Sequence, residues 1–276
     1  MTAMIARKTL RPRRWAVGGM WLTLVLAGGC RDRAASGGSL APAGNLAEAS
    51  ATAALAGTVF GRIQIIGPLP SEPAVPLPAS VTKLCGERLE AKTVVVGPDQ
   101  GLQDAVVWLE AAAVPRDGRE GSQTAVAPDT VVLDQRRCVY RPRVVTARAG
   151  DILEVRNSDD LLHNVRTGEG AKTWFNLAMP FAGMNTRKVL PPKPATIAVG
   201  CDVHSWMRAW VKSFDHPWFA QSDADGRFRI ENVPPGKKRL HVWHERFPER
   251  TVEVEITSGQ SSALDLEWNA RELRSP

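Results

Sequence analysis

The feature that most constrains the fold is a series of short β-type runs, each ended by proline or glycine. The chain has 20 Pro and 23 Gly in 276 residues, and no stretch keeps a helical periodicity over three turns. Runs with β-branched or alternating residues predict strands at residues 58–66, 93–96, 105–109, 130–133, 139–147, 152–156, 196–199 and 209–213. Many short strands with turns between them predict an all-β chain built from β-sandwiches.

A second set of alternating runs fills the C-terminal part of the chain. Asp225 and Gly226 separate two strand-like runs and form a hairpin signal. Residues 223–245 resemble the carboxypeptidase regulatory-like, or transthyretin-like, domain. The resemblance implies a small β-sandwich over residues 218–270. Relatives of this module accompany carbohydrate-active enzymes, so carbohydrate is a partner suggested by fold analogy alone.

Three side chains suited to soft metals lie within seven residues: Cys201, His204 and Met207. A predicted strand ends just before them, and His163 follows an earlier predicted strand in a polar loop. Two strands of one sandwich that end side by side would bring the four side chains to the same end. Thiolate, imidazole and thioether together are the ligand set of a mononuclear electron-transfer copper site.

Residues 139–214 resemble the cupredoxins, the small blue-copper proteins. The resemblance is carried by the strand start at Gly150 and Asp151, by an Asn and an Asp before the first ligand histidine, by His163 next to Asn164, and by an amicyanin-like Cys-x2-His-x2-Met ligand loop. It implies a Greek-key β-sandwich that holds one type 1 copper ion, with Asn164 fixing the ligand loop from outside. The ligands that it implies are His163, Cys201 and His204 in the equatorial plane and Met207 as the weak axial ligand.

Other interpretations of these residues stay open. The same side chains would also bind zinc or another metal, or they are the remnant of a site that no longer binds metal. Met179 and Met184 are rival thioethers, although their spacing favours a packing role. Trp206 either belongs to an apolar patch that docks a redox partner or shields the metal from water.

The first 29 residues have the layout of a bacterial export signal. Five basic residues precede an apolar run and two glycines, which lead to Cys30. Residues 26–30 resemble a lipobox, in which the cysteine is acylated; an ordinary secretory signal with a bystander cysteine is the alternative. The lipoprotein interpretation predicts an exported, membrane-anchored protein, periplasmic or at the cell surface. Residues 30–56, rich in Ala, Gly and Ser, would be its flexible tether.

The basic excess of the chain lies in its first residues. The full sequence has 35 Lys and Arg against 29 Asp and Glu, a net charge of +6. Five of those bases and none of the acids lie in residues 1–29, so removal of that segment leaves a net charge of +1. The charge therefore indicates no nucleic-acid partner.

The four cysteines divide among three roles. If Cys30 takes lipid and Cys201 takes metal, Cys85 and Cys138 remain as a pair in an oxidising compartment. A disulfide between them would close a long loop and contribute about 4 kcal/mol in the chain-entropy model. The alternative is that Cys85 and Cys138 are two separate buried thiols. We predict the disulfide.

Together these features predict a tethered copper protein with two folded domains. Residues 57–217 would be a cupredoxin-like domain with an N-terminal elaboration, and residues 218–270 the carboxypeptidase regulatory-like domain. Four protein ligands leave no position for substrate, so we predict one-electron transfer with an unidentified redox protein and no enzyme activity. Two alternatives stay open: a cell-surface carbohydrate-binding or interaction module with a vestigial or structural metal site, and copper storage or delivery.

Overall fold

The computed structural model describes residues 56–90, 92–111, 127–170 and 172–275. The export signal, Cys30 and residues 30–55 of the tether lie outside these ranges. Among the described residues, no helix has the length and the apolar character needed to cross a bilayer.

The described residues form nineteen strands and very little helix. The strands are β1 (Gly57–Ile66), β2 (Val75–Pro76), β3 (Arg88–Leu89), β4 (Val106–Leu109), β5 (Thr130–Arg136), β6 (Val139–Arg141), β7 (Val144–Arg148), β8 (Ile152–Asn157), β9 (His163–Glu169), β10 (Lys172–Met179), β11 (Asn185–Val189), β12 (Ala195–Gly200), β13 (Arg208–Phe214), β14 (Phe219–Gln221), β15 (Arg227–Val233), β16 (Gly236–His244), β17 (Phe247–Ile256), β18 (Ser261–Ala263) and β19 (Leu266–Asn269). A short helix, α1, spans Thr82–Cys85, and 3₁₀ turns lie at Pro98–Gln100 and Ala270–Glu272. The prediction of an all-β chain is confirmed.

Strands β5 to β13 form the first sandwich. Its larger sheet has the order β10-β9-β12-β13-β7, and its smaller sheet has the order β11-β8-β5-β6. Side chains along β8 alternate between buried and accessible, the period-two pattern of a strand with one face in a core. Leu133 and Leu153 from the smaller sheet meet Val165 and Val211 from the larger sheet in that core.

The remaining long strands form a second sandwich. In one sheet β1 lies between β15 and β18 and also pairs with β19, and the other sheet has the order β14-β4-β16-β17. The two sheets enclose Ile63, Leu109, Leu240, Phe247 and Trp268, all of them buried. The C-terminal module is therefore built from strands that lie at both ends of the described chain.

This arrangement corrects the predicted boundary between residues 57–217 and 218–270. β1 pairs antiparallel with β15, where Val59 lies opposite Ile230, and β4 pairs with both β14 and β16. Both strands belong to the second sandwich, whereas the sequence prediction places them in the first. The alternation of a strand predicts which of its faces is buried, but it carries no information about a partner far away in the sequence.

The individual strand predictions differ from the structure at several places. The run at residues 93–96 forms only an isolated bridge, and the run at 139–147 divides into β6 and β7 around Pro142, which cannot donate to a ladder. Strands β9, β10 and β11 were not predicted. β10 and β11 lie at sheet edges, where a strand needs no hydrophobic run.

The two sandwiches pack against each other through aromatic side chains. Trp210 on β13 and Trp243 on β16 make an edge-to-face contact with ring centroids 5.7 Å apart. Glu245 accepts a hydrogen bond of 2.9 Å from the indole of Trp210 and forms a two-bonded ion pair with Arg143. This pair is well shielded from solvent, so it joins the sandwiches more strongly than an exposed ion pair would.

The segment between β1 and β4 contacts both sandwiches. On one side, Glu72 accepts a hydrogen bond of 2.7 Å from Arg246, which is buried in the second sandwich. On the other side, Cys85 at the end of α1 is joined by a disulfide to Cys138 of the first sandwich, with Cα atoms 5.7 Å apart. The predicted bridge is thus present in the structure, and the segment is attached to both sandwiches.

Candidate metal centre

Three of the predicted ligands lie together at one end of the first sandwich. His163 is the first residue of β9 and not part of a loop, while residues 201–207 connect β12 to β13. β9 and β12 are antiparallel neighbours, with Gly200 opposite Arg166, so the end of β12 lies beside the beginning of β9. The sheet topology therefore places side chains 38 positions apart in sequence at one site.

The donor atoms of His163, Cys201 and His204 converge. The two Nδ1 atoms are 2.9 Å apart, and the sulfur of Cys201 is 3.8 Å from Nδ1 of His204. All three donors lie within 4.8 Å of one another, and all three residues are buried. Metal–nitrogen and metal–sulfur bonds of about 2.0–2.3 Å put two ligands of one ion at most about 4.6 Å apart. The distances of 2.9 and 3.8 Å lie within that limit, and the 4.8 Å bound on the third pair is close to it.

Met207 lies at the base of the same loop. Its side chain is fully buried in the core of the first sandwich. Its backbone closes the loop, because Met207 N–H donates to the carbonyl of His204 over 2.9 Å and Cys201 N–H donates to the carbonyl of Met207 over 3.3 Å. The rival Met179 is paired with His163 across β9 and β10, and is also buried.

Asp159 orients His163, a role that was not predicted from the sequence. The carboxylate is buried, and its Oδ2 lies 2.9 Å from Nε2 of His163. Because an ionised carboxylate only accepts, Nε2 carries a proton, and Nδ1 is the ring nitrogen that faces Cys201 and His204. A carboxylate bonded to the far nitrogen of a ligating imidazole is a common support of metal sites. The signal available in the sequence was an acidic residue four positions before the histidine.

Asn164 holds the ligand loop through its side chain and the sulfur through its backbone. Its Oδ1 accepts a hydrogen bond of 2.6 Å from the N–H of Asp202, and its Nδ2 donates to the Asp202 carboxylate over 3.0 Å. Its backbone N–H points at the sulfur of Cys201 at 3.5 Å. The group that donates towards the sulfur is thus the main chain and not the amide side chain.

Trp206 is less exposed than a residue that docks a partner would be. It is half-buried, its indole N–H donates to the carbonyl of Cys138 over 3.1 Å, and its ring lies 5.0 Å from that of His204. Exposed apolar side chains at this end include Leu162 and Val203, which are 44% and 50% exposed and directly precede the two histidines. An exposed apolar surface beside the candidate ligands therefore includes those two residues, whereas Trp206 is half-buried.

The electrostatics of the site favour the metal-binding form of Cys201 and His204 but not that of His163. Burial raises the pKa of the Cys201 thiol, but hydrogen bonds from His163 and from backbone N–H groups outweigh burial and lower it overall. Burial and the charge on His163 lower the pKa of His204. For His163 burial lowers the pKa, whereas Asp159 and Cys201 raise it and prevail. A thiolate and a neutral imidazole are the forms that bind metal, so a bound metal ion would have to displace a proton from His163.

Comparison with known families identifies the second sandwich. The family model of the carboxypeptidase regulatory-like domain matches residues 214–269. This range contains β14 to β19 but neither β1 nor β4. The C-terminal sandwich is therefore a carboxypeptidase regulatory-like domain to which two strands from the N-terminal part of the chain are added.

The solved structures to which the chain is similar include copper proteins. The Cu-containing nitrite reductase of Thermus scotoductus SA-01 aligns at 18% identity and a TM-score of 0.29, over 35% of this chain and 24% of the reductase. Amicyanin from Paracoccus versutus aligns at 18% identity and a TM-score of 0.28, over 39% of this chain and 96% of amicyanin. A purple cupredoxin from Nitrosopumilus maritimus aligns at 17% identity and a TM-score of 0.27, over 31% of this chain and 98% of the cupredoxin. No curated protein sequence matches the chain.

Proposed function

We propose that the first sandwich is a mononuclear copper domain that transfers single electrons. The observation that carries this proposal is the buried convergence of two imidazole nitrogens and one thiol at the end of β9 and β12. His163, Cys201 and His204 would hold the ion in a plane, and Met207 would be the weak fourth ligand. Bound copper would supply a one-electron couple, for which this set of soft and borderline donors is suited.

Electron transfer is favoured over catalysis by the closure of the site. His163 and Met207 have no exposed surface, and Cys201 and His204 are each 4% exposed. A catalytic metal site keeps one position open for water or substrate, whereas the four side chains here would account for the whole coordination. Asp159 and Asn164 hold the ligands in fixed orientations, which suits an ion that changes charge without changing its ligands.

We propose in addition that the protein is exported and tethered to a membrane through Cys30. The support in the sequence is the basic and apolar segment before that cysteine. The support in the described part of the chain is the bridge between Cys85 and Cys138, since structural disulfides persist in oxidising compartments. A redox protein that contacts Leu162 and Val203 would be the electron partner.

Copper loading with a matched pair of variants tests the site. The purified protein should take up one copper ion and acquire an intense visible thiolate-to-copper absorption. Cys201→Ser should abolish the band, whereas Ser205→Ala, on the exposed side of the same loop, should leave it unchanged.

The other outcomes of the loading experiment favour other functions. Tight binding of Cu(I) without colour or reversible oxidation would favour copper storage or delivery. Absence of metal uptake would favour an interaction module with a vestigial site. Survival of the band in Cys201→Ser would show that the ligand assignment is wrong.

A further inference from the structure

Cys138 is the residue through which both histidines of the site are supported. Its N–H donates to Oδ2 of Asp159 over 2.9 Å, and the same oxygen lies 2.9 Å from Nε2 of His163. Its carbonyl accepts the indole N–H of Trp206 over 3.1 Å, and that ring packs against His204. The backbone of Cys138 is thus linked to His163 through Asp159 and to His204 through Trp206.

The turn that contains Cys138 has an unfavourable backbone conformation. Arg136 pairs with Val139 across β5 and β6, so the connecting loop has two residues. Both of them, Arg137 and Cys138, lie in the left-handed region with φ of 53° and 59°. Turns of this kind favour glycine or asparagine, and neither is present here. The turn therefore depends on contacts from outside itself.

Two contacts supply that support. The carboxylate of Asp159 accepts the N–H groups of both turn residues, Arg137 over 2.7 Å and Cys138 over 2.9 Å. The second contact is covalent, because the sulfur of Cys138 is bonded to Cys85 at the end of α1. The disulfide therefore restrains the turn that also positions the carboxylate bound to His163.

We propose that the Cys85–Cys138 disulfide is a positioning element of the metal centre, which orients both histidine ligands through the β5–β6 turn. The inference rests on the proposed copper function for its meaning, but the arrangement itself belongs to the protein without metal. Cleavage of the bridge frees the turn, moves the Asp159 carboxylate and Trp206, and so loosens His163 and His204.

The bridge has a second consequence for the choice of ligands. The sulfur of Cys138, an oxygen of Asp159 and a nitrogen of His163 lie within 4.8 Å of one another. A free thiolate at this position would be a rival soft donor on the far side of His163. In the disulfide the sulfur is not a thiolate, so the bridge leaves Cys201 as the thiolate of the site.

The test compares Cys85→Ser, which leaves a free thiol at Cys138, with the double variant Cys85→Ser/Cys138→Ser. A control variant, Ile230→Ala in the core of the second sandwich, lowers stability without contacting the site. In the protein without metal, we expect the ring N–H of His163 to exchange with water at least tenfold faster in both serine variants than in the wild type and the control. Nuclear magnetic resonance of ¹⁵N-labelled histidine measures this exchange directly.

The same variants loaded with copper give the second measurement. Both serine variants should release copper to a chelator at least tenfold faster than the control, in the range seen when supports of metal ligands are lost. Cys85→Ser alone should also change the position of the visible band, because only that variant offers the rival thiolate. If both variants match the control in ring exchange, the proposal is wrong, whatever the copper results. If the wild type binds no copper but the ring exchange responds, the copper function fails and the positioning role stands.

A measurement on the wild type covers the case in which Cys85→Ser does not fold. The amide protons of Arg137 and Cys138 and the ring proton of His163 should show one common protection factor (exchange rate relative to the intrinsic rate of each group) in the disulfide-bonded protein, because all three bond to Asp159. A phosphine reductant should accelerate the three together while the amides of β16 and β17 keep their protection. Unrelated protection factors for the three protons in the disulfide-bonded protein would overturn the proposal.

Discussion

At the scale of single residues, the site depends on a carboxylate that does not itself belong to the ligand set. Asp159 accepts hydrogen bonds from two backbone N–H groups and from His163. Burial raises the pKa of this carboxyl, but these bonds outweigh burial and lower it. An ionised Asp159 keeps a proton of His163 on Nε2, so that Nδ1 is the ring nitrogen that faces Cys201 and His204.

Replacing Asp159 by Asn should weaken copper binding by about ten- to a hundredfold, because the amide cannot accept all three bonds. Competition with a chromophoric chelator measures the affinity. Asp160→Asn is the matched control, since Asp160 is the exposed neighbour of Asp159. Equal affinities of the two variants would contradict the role of Asp159.

His244 makes the stability of the protein depend on pH. Burial lowers its pKa to about 4, and its Nδ1 accepts the N–H of Arg246, so the folded state holds the ring neutral. The unfolded state takes up a proton near pH 6.5, so stability falls as the pH falls from about 6.5 to about 4 and is then constant. The contribution lost between pH 7 and pH 5 is about 2 kcal/mol.

Urea unfolding at pH 7 and pH 5 measures this contribution. His244→Gln should lose about 2 kcal/mol less than the wild type between the two pH values, because the glutamine does not titrate. Burial also lowers the pKa of His216. Because His216 is present in both proteins, its contribution to the pH dependence cancels in the comparison. Equal losses in the two proteins would show that His244 is not held neutral.

At the scale of elements, the loop that carries Cys201 and His204 exposes an apolar side chain. Val203 is half exposed and directly precedes His204. Val189, which is 65% exposed, lies at the end of β11 that pairs with the beginning of β8, away from the site. The two valines thus allow the same substitution at the two ends of one sandwich.

Val203→Glu should slow electron self-exchange between oxidised and reduced protein by roughly tenfold at low salt, because two like charges then meet at the contact. Val189→Glu should leave the rate unchanged. Line broadening in mixtures of the two redox states measures the rate. If both substitutions have the same effect, the contact surface is not beside His204.

Two strands and the loop of the candidate site were predicted from the sequence, whereas β9 and the role of Asp159 were not. The alternation in β8 and β12 predicted both strands, and the Cys-x2-His-x2-Met spacing predicted a loop that the structure places beside His163. β9 was missed because its first residues are polar and serve the site rather than a core. Asp159 was missed because its role depends on a hydrogen bond across the loop between β8 and β9, which leaves no periodic signal.

At the scale of the whole molecule, the second sandwich is completed by distant parts of the chain. β1 lies between β15 and the strands β18 and β19, and β4 lies between β14 and β16. The family match begins at residue 214, so it contains neither of these central strands. The prediction of two consecutive domains failed here, because the sequence pattern does not specify which strands pair.

A fragment of residues 214–276 should therefore not fold by itself, because each of its sheets would lack its central strand and Leu240 and Trp268 would lose the β1 and β4 side chains packed on them. Far-ultraviolet circular dichroism should show an unfolded chain that gains β-structure when residues 56–111 are added. Cooperative unfolding of the fragment alone would show that β1 and β4 are dispensable.

The central claim is that His163, Cys201, His204 and Met207 form a copper site that exchanges single electrons. A spectroelectrochemical titration of the copper-loaded protein tests it most directly. The account predicts one visible thiolate-to-copper band that disappears on reduction and returns on oxidation, along a single curve with the slope of a one-electron couple. A copper-loaded protein without that band, or a band that does not return after reduction, would contradict it.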